Sequence, residues 1–180
     1  MVPRGHPLAG FGPGVAGART SADHSRMEAA PFVPPDFMPP ASLTTPLFRL
    51  EPLGPQHNVA DYAAWTSSIE HIRRTPGYPD GKWPDGRSID DNLRDLRRHA
   101  DDFEQRRGFT YTVLDSGTGD VIGCVYIYPD ATQPGRATVQ SWVRASRAEL
   151  DVPLWRAVST WLAATWPFES VDYGQREGEP

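Results

Sequence analysis

The residues with the clearest capacity for chemistry lie between Ala137 and Ala164, where a β-rich run passes through a short polar turn into an amphipathic helix. A helix that starts directly after the C-terminal end of a strand presents free backbone N–H groups and the positive end of its dipole, which suits an anionic ligand such as a pyrophosphate. Arg144 and Arg147 sit in that turn, and Asp151 is placed to cap a helix starting at Val152. Other chemistries find less support. The histidines, His6, His24, His57, His71 and His99, show no metal-ligand spacing, and His71 and His99 read as solvated helix residues. There is no Gly-x-Ser-x-Gly elbow and no Gly-x-x-x-x-Gly-Lys loop, which removes the motif basis for a hydrolase or a nucleoside triphosphatase. Cys124, the single cysteine, has no disulfide or zinc partner and reads as a small core residue in a reducing, cytoplasmic setting.

Composition narrows the partners. A formal charge of -5 argues against nucleic acid. Arg4, Arg19 and Arg26 cancel Asp23, Glu28 and Asp36 within residues 1–45, so the excess acid belongs to the remainder and suits a cationic or amine ligand. No run of 18 or more apolar residues occurs, so neither a membrane span nor a membrane partner is expected. With 38% hydrophobic residues the chain can build a core.

The elements that would position these groups begin after residue 45. Residues 1–45 are expected to be a disordered Pro/Gly-rich extension without apolar periodicity, and residues 46–180 a single α/β domain. Phe48 to Leu53 alternates as a strand with Pro52 at its end, and His57 to Arg74 carries helical spacing. Thr75 to Arg87 is a structured loop with two Pro-Asp-Gly turns around Lys82 and Trp83. Ser88 caps a second helix with Asp91 in the capping-box position, and Gly108 closes it. Phe109 to Leu114, Val121 to Tyr128 and Ala137 to Val143 form an antiparallel meander. Leu154, Trp155, Val158, Trp161 and Leu162 mark the inward face of a third helix, and Phe168 to Tyr173 makes a last strand parallel to the one before it.

This order of elements, with the segments Val121-Ile122-Gly123-Cys124-Val125 and Gln140-Ser141-Trp142-Val143-Arg144, resembles the GNAT family of acyl-CoA N-acyltransferases over about Phe48 to Tyr173. The resemblance implies a layered α/β (α+β) fold, with a mixed, mostly antiparallel sheet of about five strands and three helices. It also implies a chain shortened by the family's final helix and two strands, with the last strand left as an edge that invites a homodimer. Acetyl-CoA would be the co-substrate, lying where the family's fourth and fifth strands splay. Its cofactor contacts would fall on Trp142, Val143, Arg144, Arg147, Leu150 and Val152. The family's phosphate turn, Arg/Gln-x-x-Gly-x-Gly/Ala, is matched by Arg147-Ala148-Glu149-Leu150-Asp151-Val152, where only the arginine survives.

The implied reaction is direct attack of an amine, on a small molecule or a protein N-terminus, upon the acetyl thioester. It needs a proton acceptor near the fourth strand. The candidates carried by the resemblance are Glu51, Tyr126 and Gln140 for catalysis, His57 within reach, and Trp83 and Tyr128 for the acceptor. The side chains filling the glycine positions support an alternative, a GNAT-like binding or pairing module without CoA chemistry.

Overall fold

The computed structural model of the chain describes residues 30–78 and 81–176. Strict alternation builds the sheet. In β3 (Phe109–Asp115), Phe109, Tyr111 and Val113 face one side, while Thr110, Thr112 and Leu114 face the other. The full set of strands is β1 (Leu43–Thr44), β2 (Phe48–Pro52), β3, β4 (Val121–Pro129), β5 (Arg136–Val143) and β6 (Ser170–Tyr173), lying side by side in sequence order. All neighbours are antiparallel except β5 and β6, which run parallel with α4 (Asp151–Thr165) as the crossover. One face is apolar, with Leu154, Val158 and Trp161 of α4 packed on Tyr111, Ile127 and Val139. The other is covered by α1 (Asn58–Thr66), α2 (Ile69–Arg74) and α3 (Ile89–Glu104) and carries most of the polar side chains. Among the described residues no helix is long and apolar enough to cross a membrane.

Three details depart from the sequence expectation. Of residues 1–45, expected to be a disordered extension, 1–29 lie outside the described residues, whereas 30–45 pack on the domain. Val33 is buried, the Phe32 ring stacks on Phe109 and Phe168 at 5.8 and 5.0 Å, and β1 adds a sixth strand. These apolar groups attach one at a time, so they leave no periodic signal. The helix expected from His57 to Arg74 breaks at Ser67 and Ser68, giving four α-helices rather than three. The break lets the Ser68 hydroxyl accept a 2.8 Å hydrogen bond from the Ala145 N–H, at the turn after β5. Lastly, the residue that reverses the chain after α3 is Arg106, with φ 60, rather than Gly108. Its guanidinium donates to the carbonyls of Pro34 and Phe37, both at 2.6 Å, which ties the N-terminal segment to the helix end.

The capping box is present as expected: Ser88 Oγ accepts from the Asp91 N–H at 3.1 Å, and the Asp91 carboxylate accepts from the Ser88 N–H at 3.0 Å. Gly123 has a different constraint. A Cβ there would lie 2.2 Å from the Trp142 carbonyl oxygen, so β4 and β5 approach each other only because it has no side chain. Gly123→Ala is expected to cost about 3 kcal/mol in urea unfolding, because the backbone pair must part to admit the methyl group.

Candidate functional site

The polar face of the sheet and α1–α3 enclose a cavity of about 430 Å³ whose wall includes Asp61, Tyr78, Trp83, His99, Tyr126 and Gln140. Gly77, Tyr78, Trp83 and Arg87, which follow α2, border it. Gly77 takes φ +101, which a residue with a Cβ adopts only under strain, and Gln140 Nε2 donates to the Gly77 carbonyl. That turn delivers Tyr78 and Trp83 onto the sheet. The Trp83 ring lies 5.6 Å from Tyr78, 6.4 Å from Tyr126 and 6.2 Å from Trp142, so one end of the cavity is an aromatic box. Residues 79 and 80 of the first Pro-Asp-Gly turn lie outside the described residues.

Asp61 projects from α1 into this enclosure. Asn92 of α3 donates to its Oδ2 at 3.0 Å, and the same amide oxygen side accepts from Trp65 Nε1–H at 3.0 Å. Tryptophan can only donate, so it fixes which end of the Asn92 amide faces the carboxylate. Burial raises the Asp61 pKa from its ordinary 3.8 to about 6, against the opposing pull of Asn92 and His57.

His99, on the inner face of α3, is part of a second network. The Tyr128 hydroxyl donates to Asp102 Oδ2 at 3.0 Å and lies 2.7 Å from His99 Nδ1. Having spent its proton on Asp102, Tyr128 must accept from Nδ1–H, and the hydroxyl of Thr110 lies 3.1 Å from the same nitrogen. The tautomer is therefore fixed with Nε2 as an acceptor. Burial lowers the His99 pKa to about 4, so the ring is neutral at physiological pH. The expectation of a solvated His99 is corrected by this packing.

The sequence candidates are distributed unevenly. Trp83, Tyr126 and Gln140 line the cavity, and Tyr126 accepts from Trp142 Nε1–H at 3.2 Å. Tyr128 is not in the wall and lies behind it, bonded to His99. Glu51 is engaged elsewhere: His57 Nδ1 accepts from the Gly54 N–H, so Nε2–H donates to Glu51 at 2.9 Å and holds the carboxyl below its usual range. It thus pins the entry to α1. Asp61, Tyr78, His99 and Arg176 were not among the candidates. A hydrophilic residue interrupting the inner face of a helix was the available signal for Asp61 and His99; for Tyr78 and Arg176 the sequence holds none.

At the strand-turn-helix the geometry differs most from expectation. The β5–β6 pairing ends at Val139 and Tyr173, where β6 itself ends, so a split is left beside the rest of β5 up to Val143. Arg176 fills the split. Its guanidinium, only 3% exposed with its residue, donates to Asp151 from Nε at 2.7 Å and Nη2 at 3.2 Å. It also donates to Ser141 O and Oγ at 3.3 and 3.1 Å and to Gly174 O at 2.7 Å. Asp151 therefore pairs with this arginine, and the N-cap position of α4 falls on Leu150, which has no side-chain cap bond. Leu150, Trp142 and Val143 are buried in the core, Val152 is half-buried, Arg144 Nε is buried without a partner among the described residues, and Arg147 is held by Asp115 and Glu149. A 3₁₀ turn over Ala145–Leu150 runs straight into α4, and its Arg147 N–H is already used by the Arg144 carbonyl. Residues disposed in this way do not fit a pyrophosphate: the anion's place at the helix start is held by Asp151, and Pro153 offers no N–H.

No family model matches the chain, and no curated protein matches it in sequence. Its fold has clear counterparts. Over 68% of this chain and 67% of the other, it superposes on the ribosomal-protein-S5-alanine acetyltransferase of Vibrio fischeri with a TM-score of 0.53 at 15% identity. A ribosomal L7/L12 alpha-N-protein acetyltransferase solved in complex with coenzyme A matches at a TM-score of 0.52 and 10% identity, covering 69% of this chain and 66% of that one. A probable GNAT-family acetyltransferase from Chromobacterium violaceum gives 0.51 at 16% identity over 89% of this chain and 70% of the other. The chain has the GNAT acyltransferase fold, in a form divergent in sequence.

Arg176→Met tests the closure of the split. Removing one partner of a buried pair leaves Asp151 uncompensated, so unfolding free energy is expected to fall by about 3 kcal/mol. A change below the error of a urea titration would show that the guanidinium contributes nothing to the fold.

Proposed function

We propose that the chain is an N-acyltransferase whose acceptor, a small-molecule amine or a protein N-terminus, binds in the cavity under α1–α3 and is deprotonated by Asp61. The observation that carries this reading is a buried carboxylate held near neutrality inside an aromatic-walled cavity. An ammonium has no lone pair to attack a carbonyl, so it must first give up a proton, and a base with a pKa near the operating pH serves best. Before that step the same carboxylate attracts the cation, and the faces of Trp83, Tyr78 and Tyr126 add cation–π attraction in a partly dry site. Gln140, on β5, borders the acceptor from the side of the split.

The fold supports acetyl-CoA as the acyl donor, with the split between β5 and β6 as its place. There the chain's own Arg176 stands, and the turn around Leu150 lacks an anion cradle. These two features favour a second reading, a binding module in which the split stays closed. Its exposed β6 edge, with Val171 38% exposed, would then be the surface for pairing with a second copy.

Acetyl transfer to a panel of primary amines separates the two. The first reading expects a rate that rises with pH up to about 6 and then levels, as Asp61 ionises. Asp61→Asn should lower it at least about 100-fold. No transfer, together with no calorimetric heat from acetyl-CoA or free CoA, leaves the binding module.

Asp61 also predicts a stability profile. Its folded pKa lies above the unfolded value, so between pH 4 and 6 the folded chain retains a proton that the unfolded chain has released. Stability is then lost as pH rises through that window, by about 3 kcal/mol. Asp61→Asn is therefore expected to melt above wild type at pH 7, with the difference vanishing below about pH 4 in thermal scans.

A further inference from the structure

Tyr78 is 8% exposed, and its hydroxyl is buried without a hydrogen-bond partner among the described residues. Folded proteins rarely leave such a group unpaired, because it gives up its bonds to water and receives nothing in return. Tyr78 is held at the cavity wall by local contacts. Its backbone N–H donates to Thr75 O at 3.3 Å, Gln140 holds the preceding Gly77 carbonyl, and Trp83 packs against it. Tyr78 belongs to the wall of the cavity, yet the groups that act on it electrostatically include Cys124 of β4, Tyr173 of β6 and the Arg176–Asp151 pair. It stands where the amine cavity meets the split between β5 and β6.

Burial drives the phenol well above its ordinary pKa, so it keeps its proton and needs an acceptor. An ammonium only donates and would leave that proton unpaired; an uncharged carbonyl oxygen pairs with it at no cost in charge burial. We infer that the Tyr78 hydroxyl is the hydrogen-bond donor to the carbonyl oxygen of an N-acyl group, so that the cavity is built for the acylated amine as well as the amine itself. The inference rests on the reading of the cavity as an amine site, but not on catalysis. If transfer from an acyl thioester occurs, this is the oxygen onto which the carbonyl π pair moves as the amine nitrogen bonds to the acyl carbon; the donor steadies that charge until the pair returns, the C–S bond breaks and the thiolate leaves with a proton from the nitrogen.

The test uses paired probes on the whole chain: benzylamine with N-benzylacetamide, and butylamine with N-butylacetamide, titrated by NMR into wild type and Tyr78→Phe. Tyr78→Phe is expected to bind both acetamides about tenfold more weakly, a loss well beyond any change for the free amines, which meet the ring face that phenylalanine keeps. With its unpaired hydroxyl removed and the ring kept, the ligand-free variant should melt about 3 °C higher than wild type. Equal affinity of the two proteins for the acetamides overturns the inference, as does a lower melting temperature, which would show that the hydroxyl is already paired. Failure of wild type to bind any acetamide at millimolar concentration overturns it as well. Acetamide binding that depends on Tyr78 in a protein without transferase activity would support the inference while rejecting the enzyme reading, so the two fail separately.

Discussion

The guanidinium of Arg176 is the contact on which the arrangement of the site depends. Beyond Val139 and Tyr173 the parallel pair has no more ladder bonds to make, and the carbonyl of Ser141 would face an open split. Arg176 supplies the missing donors and at the same moment neutralises Asp151 at the first residue of α4. Through Gly174 O and Pro76 O it also reaches the loop that carries Tyr78. One buried cation therefore sets β5, the crossover helix and the cavity wall in register. A lysine could not do the same, since the bonds leave a planar fork in several directions at once.

Burial acts with opposite sign on two titratable groups of the cavity wall, Asp61 and His99. It penalises charge, so the carboxyl of Asp61 rises to about 6 and the imidazole of His99 falls to about 4. At neutral pH Asp61 is thus an anion and His99 an uncharged base, in a wall that also carries Asp95 paired with Arg87 and Arg98. Each is oriented by partners that can bond in only one way: Asn92 by the indole of Trp65, and His99 by a tyrosine whose proton is committed to Asp102. Such locked polarity is what distinguishes a prepared site from polar residues that happen to be covered. The opposite face of the sheet is built from apolar side chains packed around α4 and serves as the support.

Much of the fold was legible along the chain because its signals are local. Alternation in Phe109 to Leu114 and Val121 to Tyr128 marks a meander, the Ser88 and Asp91 pair marks a helix start, and the spacing of Leu154, Val158 and Trp161 marks the crossover helix. Trp83, Tyr126 and Gln140 were found as candidates because the resemblance supplied a place for them. The apolar segment at Phe32 and Val33 was not legible, since single side chains docking on a distant sheet leave no period.

The sequence by itself determined the element order, the parallel last pair, and the loss of small residues at Leu150 and Val152. It could not determine which polar groups meet. Asp61 and Asn92, His99 and Tyr128, and Arg176 and Asp151 lie 31, 29 and 25 residues apart, and each pair exists only after the sheet has closed. The reason is physical: a hydrogen bond and a desolvation penalty both depend on what surrounds a group in space, and periodicity reports only which side of an element a residue occupies.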